Sequence, residues 1–144
     1  LAEAVKRNAF AKAAKQSAKV PVDLVERVAD LARREVAELI GLARKSGQLR
    51  AGFEKVQIAL QAGKVRVLIA AKDGAEDGRG KLARMASSGV EICAPLTAAE
   101  LAQALGREHA VHAAIAQSGI AERIIVACRR LRALQAVDNK TESN

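Results

Sequence analysis

Tryptophan and tyrosine are absent from the sequence, and its only phenylalanines are Phe10 and Phe53, so aromatics make up 1% of residues. Single-strand readers of the RRM and OB type stack bases on exposed aromatic rings. A chain this poor in rings has no such platform. Long hydrophobic runs are missing as well: the longest apolar stretch, near Val65 to Ala71, is far too short to cross a bilayer. No basic segment leads into an apolar run at the N-terminus, so no signal peptide is expected and the cytoplasm is the expected location. The first residue is Leu1 rather than Met, which reads as a cut inside a longer protein.

Cysteine and histidine are scarce. Cys93 and Cys128 lie far apart, with no CxxC pair, and each stands in an apolar pattern. Free buried thiols are expected there rather than a disulfide. His109 and His112 have i, i+3 spacing but no third ligand nearby, so no metal site is expected. The sequence holds no HExxH, no GxSxG and no cysteine near a histidine in a nucleophile context. We therefore expect no enzyme, no catalytic residue and no cofactor.

What is present is aliphatic and basic. The chain has 144 residues, of which 50% are hydrophobic, many of them alanine; 24 Lys+Arg against 16 Asp+Glu give a formal charge of +8. The length suits one domain with an appendage. Residues 1–20 are alanine-rich and carry Lys6, Arg7, Lys12, Lys15 and Lys19 against Glu3 alone. Pro21 ends that segment. Asp23, with Glu26 three residues on, reads as an N-cap. Helical periodicity then runs to Gly47 as one long helix, or as two with a kink near 32–34. A helix from Gly52 to Gly63 follows, with Phe53, Val56, Ala59 and Leu60 on one face.

The run Val65–Ala71 reads as a buried strand, and Lys72–Gly80 as a polar loop before a helix that turns Leu82 and Met85 inward. Val90–Ala94 and Ala110–Ala116 read as further strands, and Leu49–Ala51 as a short fourth. Thr97 and Glu100 form a capping box for a helix ended by Gly106. Ser118 is the expected cap of a last helix whose inner face is Ile120, Ile124, Ala127, Cys128, Leu131 and Leu134. Strands alternating with helices predict an α/β layered domain over residues 33–137, preceded by an N-terminal helical extension over 1–32 and followed by a disordered polar tail over 138–144.

Three constellations could carry chemistry. In the first, a helix end bearing Arg44 and Lys45 runs through Gly47, Gln48 and Arg50 to Gly52 and Lys55. Backbone N–H groups at the start of the next helix make a ready anion site, and a solvated helix–helix connection is the alternative. The second is the loop 72–81. It fits neither a Walker loop nor GxGxxG nor an EF-hand; its acids would repel phosphate, while Arg79, Lys81 and Arg84 would attract it, and Lys72 opens the loop. The third, Arg129, Arg130 and Arg132, is either a solvated face or a secondary phosphate contact.

Together the segment GLARKSGQLRAGFEKVQIALQAGKVRVLIAAKDGAEDGRGKL and the later TAAELAQALG resemble the bacterial YlxQ branch of the kink-turn-binding ribosomal protein superfamily, over about residues 34–135. Lys6 to Lys15, within residues 1–22, resemble the C-terminal end of a YlxR domain. The resemblance implies a YlxR–YlxQ type fusion, built as a three-layer α/β/α sandwich with a small mixed sheet. It would bind structured RNA, ribosomal RNA included, or act beside the ribosome and transcription or translation factors. Kink-turn readers of the family follow the matching glycine with Thr-Asn-Glu and place a Lys three residues after the Glu. Here Gly52 is retained, while Phe53, Glu54, Lys55 and Ile58 stand at the other positions. An Asn can donate to and accept from a base edge, whereas an ionised Glu54 only accepts. Binding is then expected to rest on backbone charge, with Lys45, Gln48, Arg50, Gly52, Phe53, Glu54, Lys55, Lys72, Arg79, Lys81 and Arg107 as the RNA-binding residues. A protein-interaction module and a nucleoid-associated transcription regulator are the competing readings.

Overall fold

The computed structural model describes residues 22–143. The first helix, α1, spans Val22–Lys45 without interruption. Asp23, expected as its cap, lies instead within the first turn, where a carboxylate still favours the helix dipole. The expected domain boundary at residue 32 falls inside this helix. The YlxR-like segment before it lies outside the described residues.

A short strand β1 (Leu49–Ala51) leads into α2 (Phe53–Gln61). Then come β2 (Val67–Ala70), α3 (Glu76–Met85), β3 (Glu91–Cys93), α4 (Ala98–Leu105), β4 (His112–Ile115) and α5 (Gly119–Ser143). The expected strands are thus all present, trimmed at their ends. Helix α5 takes in most of the segment expected as a tail. No described helix is long and apolar enough to cross a membrane.

The sheet has the order β1-β4-β2-β3, with β2–β3 parallel and the other two pairings antiparallel. Both faces of its central strands are covered, so β2 and β4 are apolar at nearly every position. Period-2 alternation sorts their side chains. Val67, Ile69, Ala113 and Ile115 face α1, α4 and α5, packing with Ile40, Leu101 and Ile124. Leu68 and Ala114 face α2 and α3, packing with Val56, Leu60 and Leu82. The result is the expected α/β/α sandwich. The N-terminal half of α1 is not a free extension, because Ala29 and Ala32 pack on Leu131 of α5.

Local signals fix the connections. The Thr97 hydroxyl accepts from the Glu100 N–H at 3.1 Å, and the Glu100 carboxylate accepts from the Thr97 N–H at 2.9 Å, closing the capping box. The Ser118 hydroxyl accepts from the Ala121 N–H at 3.1 Å and caps α5 as expected. One expectation is corrected. Residues 76–80, read as loop, are the first turn and a half of α3. Glycine usually weakens a helix interior, but at Gly78 a Cβ would stand 3.4 Å from the His112 ring. The bare backbone there lets α3 close onto the sheet.

Candidate nucleic-acid interface

The turn between α1 and α2 and the turn between α4 and β4 meet at one end of the sandwich. Between them is an open groove of about 580 Å³, lined by Arg44, Arg50, Lys55 and Arg107 over an apolar floor that includes Leu49, Ile58 and Leu105. Each element supplies a cation for a local reason. Arg44 stands in the last turn of α1, where positive charge suits the dipole. Arg50 is the central residue of β1 and points to solvent while Leu49 points inward. Its guanidinium donates to the carbonyls of Gly47 at 3.3 Å and Leu49 at 3.1 Å, which holds it over the turn. Arg107 follows Gly106, the left-handed residue that ends α4. Ile58 is 65% exposed, a large apolar side chain left at the groove wall.

Gly52 sets where α2 begins. Its backbone lies at φ 98°, ψ 150°, a region essentially reserved for glycine. Its N–H donates to the His112 carbonyl at 3.1 Å, extending the β1–β4 ladder by one step. Having no side chain, it cannot cap the helix, so the first N–H groups of α2 keep no side-chain partner.

The expected site residues divide sharply. Arg50, Lys55 and Arg107 line the groove, with Gly52 beside them. Lys45 and Glu54 are exposed on the flanking turns. Phe53 is half-buried, packed in the lower core and edge-on to His112 with ring centroids 5.9 Å apart, so it is not a free stacking surface. Gln48 is half-buried, and its backbone bridges Ala43 and Ala116.

Two cations of the 72–81 constellation, Arg79 and Lys81, make contacts within the fold. One Arg79 nitrogen, Nη2, donates to the carbonyls of Ala71, Lys72 and Gly74, each at 3.3 Å, sealing the end of β2. Asp73 caps α4 by accepting from the Ala98 N–H at 2.7 Å. Lys81 pairs with Asp77 at 3.4 Å. Lys72 is exposed. Of the four cations Arg50, Lys55, Arg79 and Lys81, the first two line the groove, while Arg79 and Lys81 make the contacts just described.

The third constellation resolves as a paired surface. Arg129 and Arg132 both bind Glu91, at 2.9 and 3.0 Å, and Arg130 approaches Glu35 at 3.5 Å. Arg129, donating to Glu91, holds that carboxyl below its usual range. By contrast, none of Arg44, Arg50, Lys55 and Arg107 forms an ion pair among the described residues. Arg44, part of the first constellation though not among the expected RNA-binding residues, lines the groove with them.

His112 and His109 do not act together. His109 is exposed in a turn, whereas His112 is buried on β4, so their helical spacing has no meaning here. Burial, and then the nearby Arg79 charge, push the His112 imidazole below its ordinary value of 6.5. The folded protein holds it neutral while the unfolded chain protonates near 6.5, so the unfolded state binds more protons below that pH. Stability from this site is therefore full above 6.5 and is lost as pH falls through it. Urea midpoints at pH 5.5 should lie below those at pH 7.5, and His112→Gln should flatten the difference. An equal slope in the variant would assign the effect to other groups.

The family described as ribosomal protein L7Ae/L30e/S12e/Gadd45 matches residues 34–125, well over half of the chain. Among solved structures, the chain is similar to a protein of unknown function from Bacillus halodurans, with 27% identity and a TM-score of 0.56, covering 72% of this chain and 96% of that one. It is also similar in fold to the Giardia lamblia 15.5kD RNA binding protein, with 16% identity and a TM-score of 0.56, covering 72% of this chain and 89% of that one. A search of curated proteins finds no match.

Proposed function

We propose, for a chain that belongs to the ribosomal protein L7Ae/L30e/S12e/Gadd45 family, that it binds structured RNA at the groove between the β1–α2 and α4–β4 turns. One observation carries the reading: four cations, Arg44, Arg50, Lys55 and Arg107, line one groove and none has a carboxylate partner among the described residues, whereas Arg66, Arg129, Arg130 and Arg132 are each paired with an acid. Unpaired guanidinium and ammonium groups above an apolar floor suit phosphate oxygens and sugar. The uncapped N–H groups at the start of α2 add a second attraction for the same charge. Lys45 and Lys72 would lengthen the basic track, and Gln48 would contribute its amide. Arg79 and Lys81 would serve RNA binding only indirectly, through the loop and helix they hold.

Binding of this kind is non-enzymatic and rests on backbone charge. Each neutralised phosphate adds roughly −0.7 to −0.9 to the slope of log K against log salt. Arg50→Ala should weaken a kink-turn RNA and an unkinked duplex about equally and make that slope shallower by roughly one unit. Glu54→Gln should strengthen binding slightly, because a carboxylate next to phosphate is repelled. Titration of both RNAs at several salt concentrations checks this. Strong kink-turn preference that disappears in the Glu54 variant would mean that Glu54 reads a base.

The finer kinship belongs to the same proposal. Residues 33–137 form the domain of YlxQ type, and residues 1–32 join it to a YlxR-type region. The support is the segment Lys6–Lys15 and the order of elements from Gly41 onward. The reading frame upstream of Leu1 should then encode the rest of a YlxR domain, including its Gly-Arg-Gly stretch. An unrelated upstream sequence would sink this part of the proposal.

A further inference from the structure

The two cysteines, remote in sequence, are neighbours in the fold. Cys93 ends the edge strand β3 and is 4% exposed; Cys128 is on the inner face of α5 and is 2% exposed. Strand β3 pairs only with β2, and α5 crosses over it. Arg129 and Arg132, one and four residues after Cys128, both grip Glu91, two residues before Cys93. This clamp fixes the helix against the strand where the two sulfurs lie. Both cysteines line a small pocket of about 200 Å³ with Pro95, Leu131, Arg132 and Gln135. The thiols are free and both line this pocket. The Cys128 S–H supports charge on the Cys93 sulfur and lowers its pKa, with Arg132 adding to the effect, while the same contact and burial raise Cys128.

We infer that Cys93 and Cys128 form a redox-active dithiol that a hydroperoxide converts into a disulfide joining β3 to α5. Cys93, at the end of the edge strand β3, is the attacking residue. Its sulfur takes the terminal oxygen of the peroxide: an S–O bond forms, the O–O bond breaks, and the leaving alkoxide or hydroxide takes up the Cys93 proton. Cys128 then attacks the sulfenic sulfur: the S–S bond forms, the S–O bond breaks, and the hydroxyl leaves as water with the Cys128 proton. The two thiols lose two electrons to the peroxide, which becomes an alcohol or water and a second water. The pocket gives a peroxide a route to the two buried sulfurs.

The test uses the full chain under native conditions, with hydrogen peroxide as the probe. The expected product has lost both thiols, is lighter by about 2 Da for two hydrogens, yields a Cys93–Cys128 linked peptide in a non-reducing map, and reverts with dithiothreitol. Cys128→Ser should stop at a sulfenic acid that dimedone traps, and Cys93→Ser should be trapped at least about tenfold more slowly. Oxygen added to the cysteines of the native protein without a cross-link would overturn the inference. So would a disulfide formed only after unfolding in urea. Equal trapping rates in the two variants would overturn the assignment of Cys93 as attacker.

Discussion

Reversing the charge at three positions, Arg50→Glu, Lys55→Glu and Arg107→Glu together, is expected to weaken RNA binding on the order of a hundredfold or more at about 0.1 M salt. All three line the same groove, and none forms an ion pair among the described residues. Each reversal removes a phosphate contact and installs repulsion in its place. The side chains are exposed, so the fold should be little affected. Fluorescence anisotropy with a structured RNA reads the affinity, and thermal unfolding reads the fold. The control must match in charge. Arg27→Glu, Arg84→Glu and Arg123→Glu alter three exposed arginines away from the groove by the same total. If that control loses as much affinity, net charge alone drives binding and the groove is not the site.

The control matters because a count of basic residues cannot separate the two cases. In the sequence, the 72–81 loop offers three cations among three acids and the 44–55 turn four cations with Glu54 alone, so both present basic side chains to a ligand. The fold shows that they are not equivalent. Arg79 turns onto three backbone carbonyls and Lys81 pairs with Asp77, whereas Arg50, held over its turn by the Gly47 and Leu49 carbonyls, lines the groove together with Lys55. Which cation a long side chain leaves unpaired depends on partners brought in by tertiary structure, and spacing along the chain does not carry that information. Arg107 joins Arg44 only because α4 and α1 end on the same side of the sandwich.

Signals complete within a few residues were legible. The Thr97–Glu100 capping box, the Ser118 cap and the weak strand at Leu49–Ala51 all appear where local chemistry places them. The start of α3 was not, because its glycines argue for loop on propensity while contact with His112 favours a glycine at position 78. The proximity of Cys93 to Cys128 was hidden for the same kind of reason. Each thiol reads locally as a core residue, and only the crossing of α5 over β3 sets them together.

Gly52 joins stability to function in one residue, and Gly52→Val is the second large effect expected. Nothing lies within 4 Å of a Cβ built at this position, so a side chain has room. The penalty comes from the backbone instead. At φ 98° and ψ 150° an L-residue is strained, and a β-branched one most of all. A cost of about 2 kcal/mol is expected, read as a fall in Tm on the order of 5 to 10 °C. Gly89→Ala, also in open space but with an ordinary φ, should stay within about 0.5 kcal/mol of the parent. Relief of the strain requires φ to change, which pulls the Gly52 N–H from the His112 carbonyl and re-aims the start of α2. Lys55, which lines the groove, moves with that helix. RNA affinity at 25 °C, where the variant remains folded, should therefore fall at least about tenfold, more than the loss of any single charge-neutral contact. A variant that loses the expected stability yet binds RNA as the parent does would separate the two roles, leaving Gly52 to the fold and the groove cations to bind without the helix.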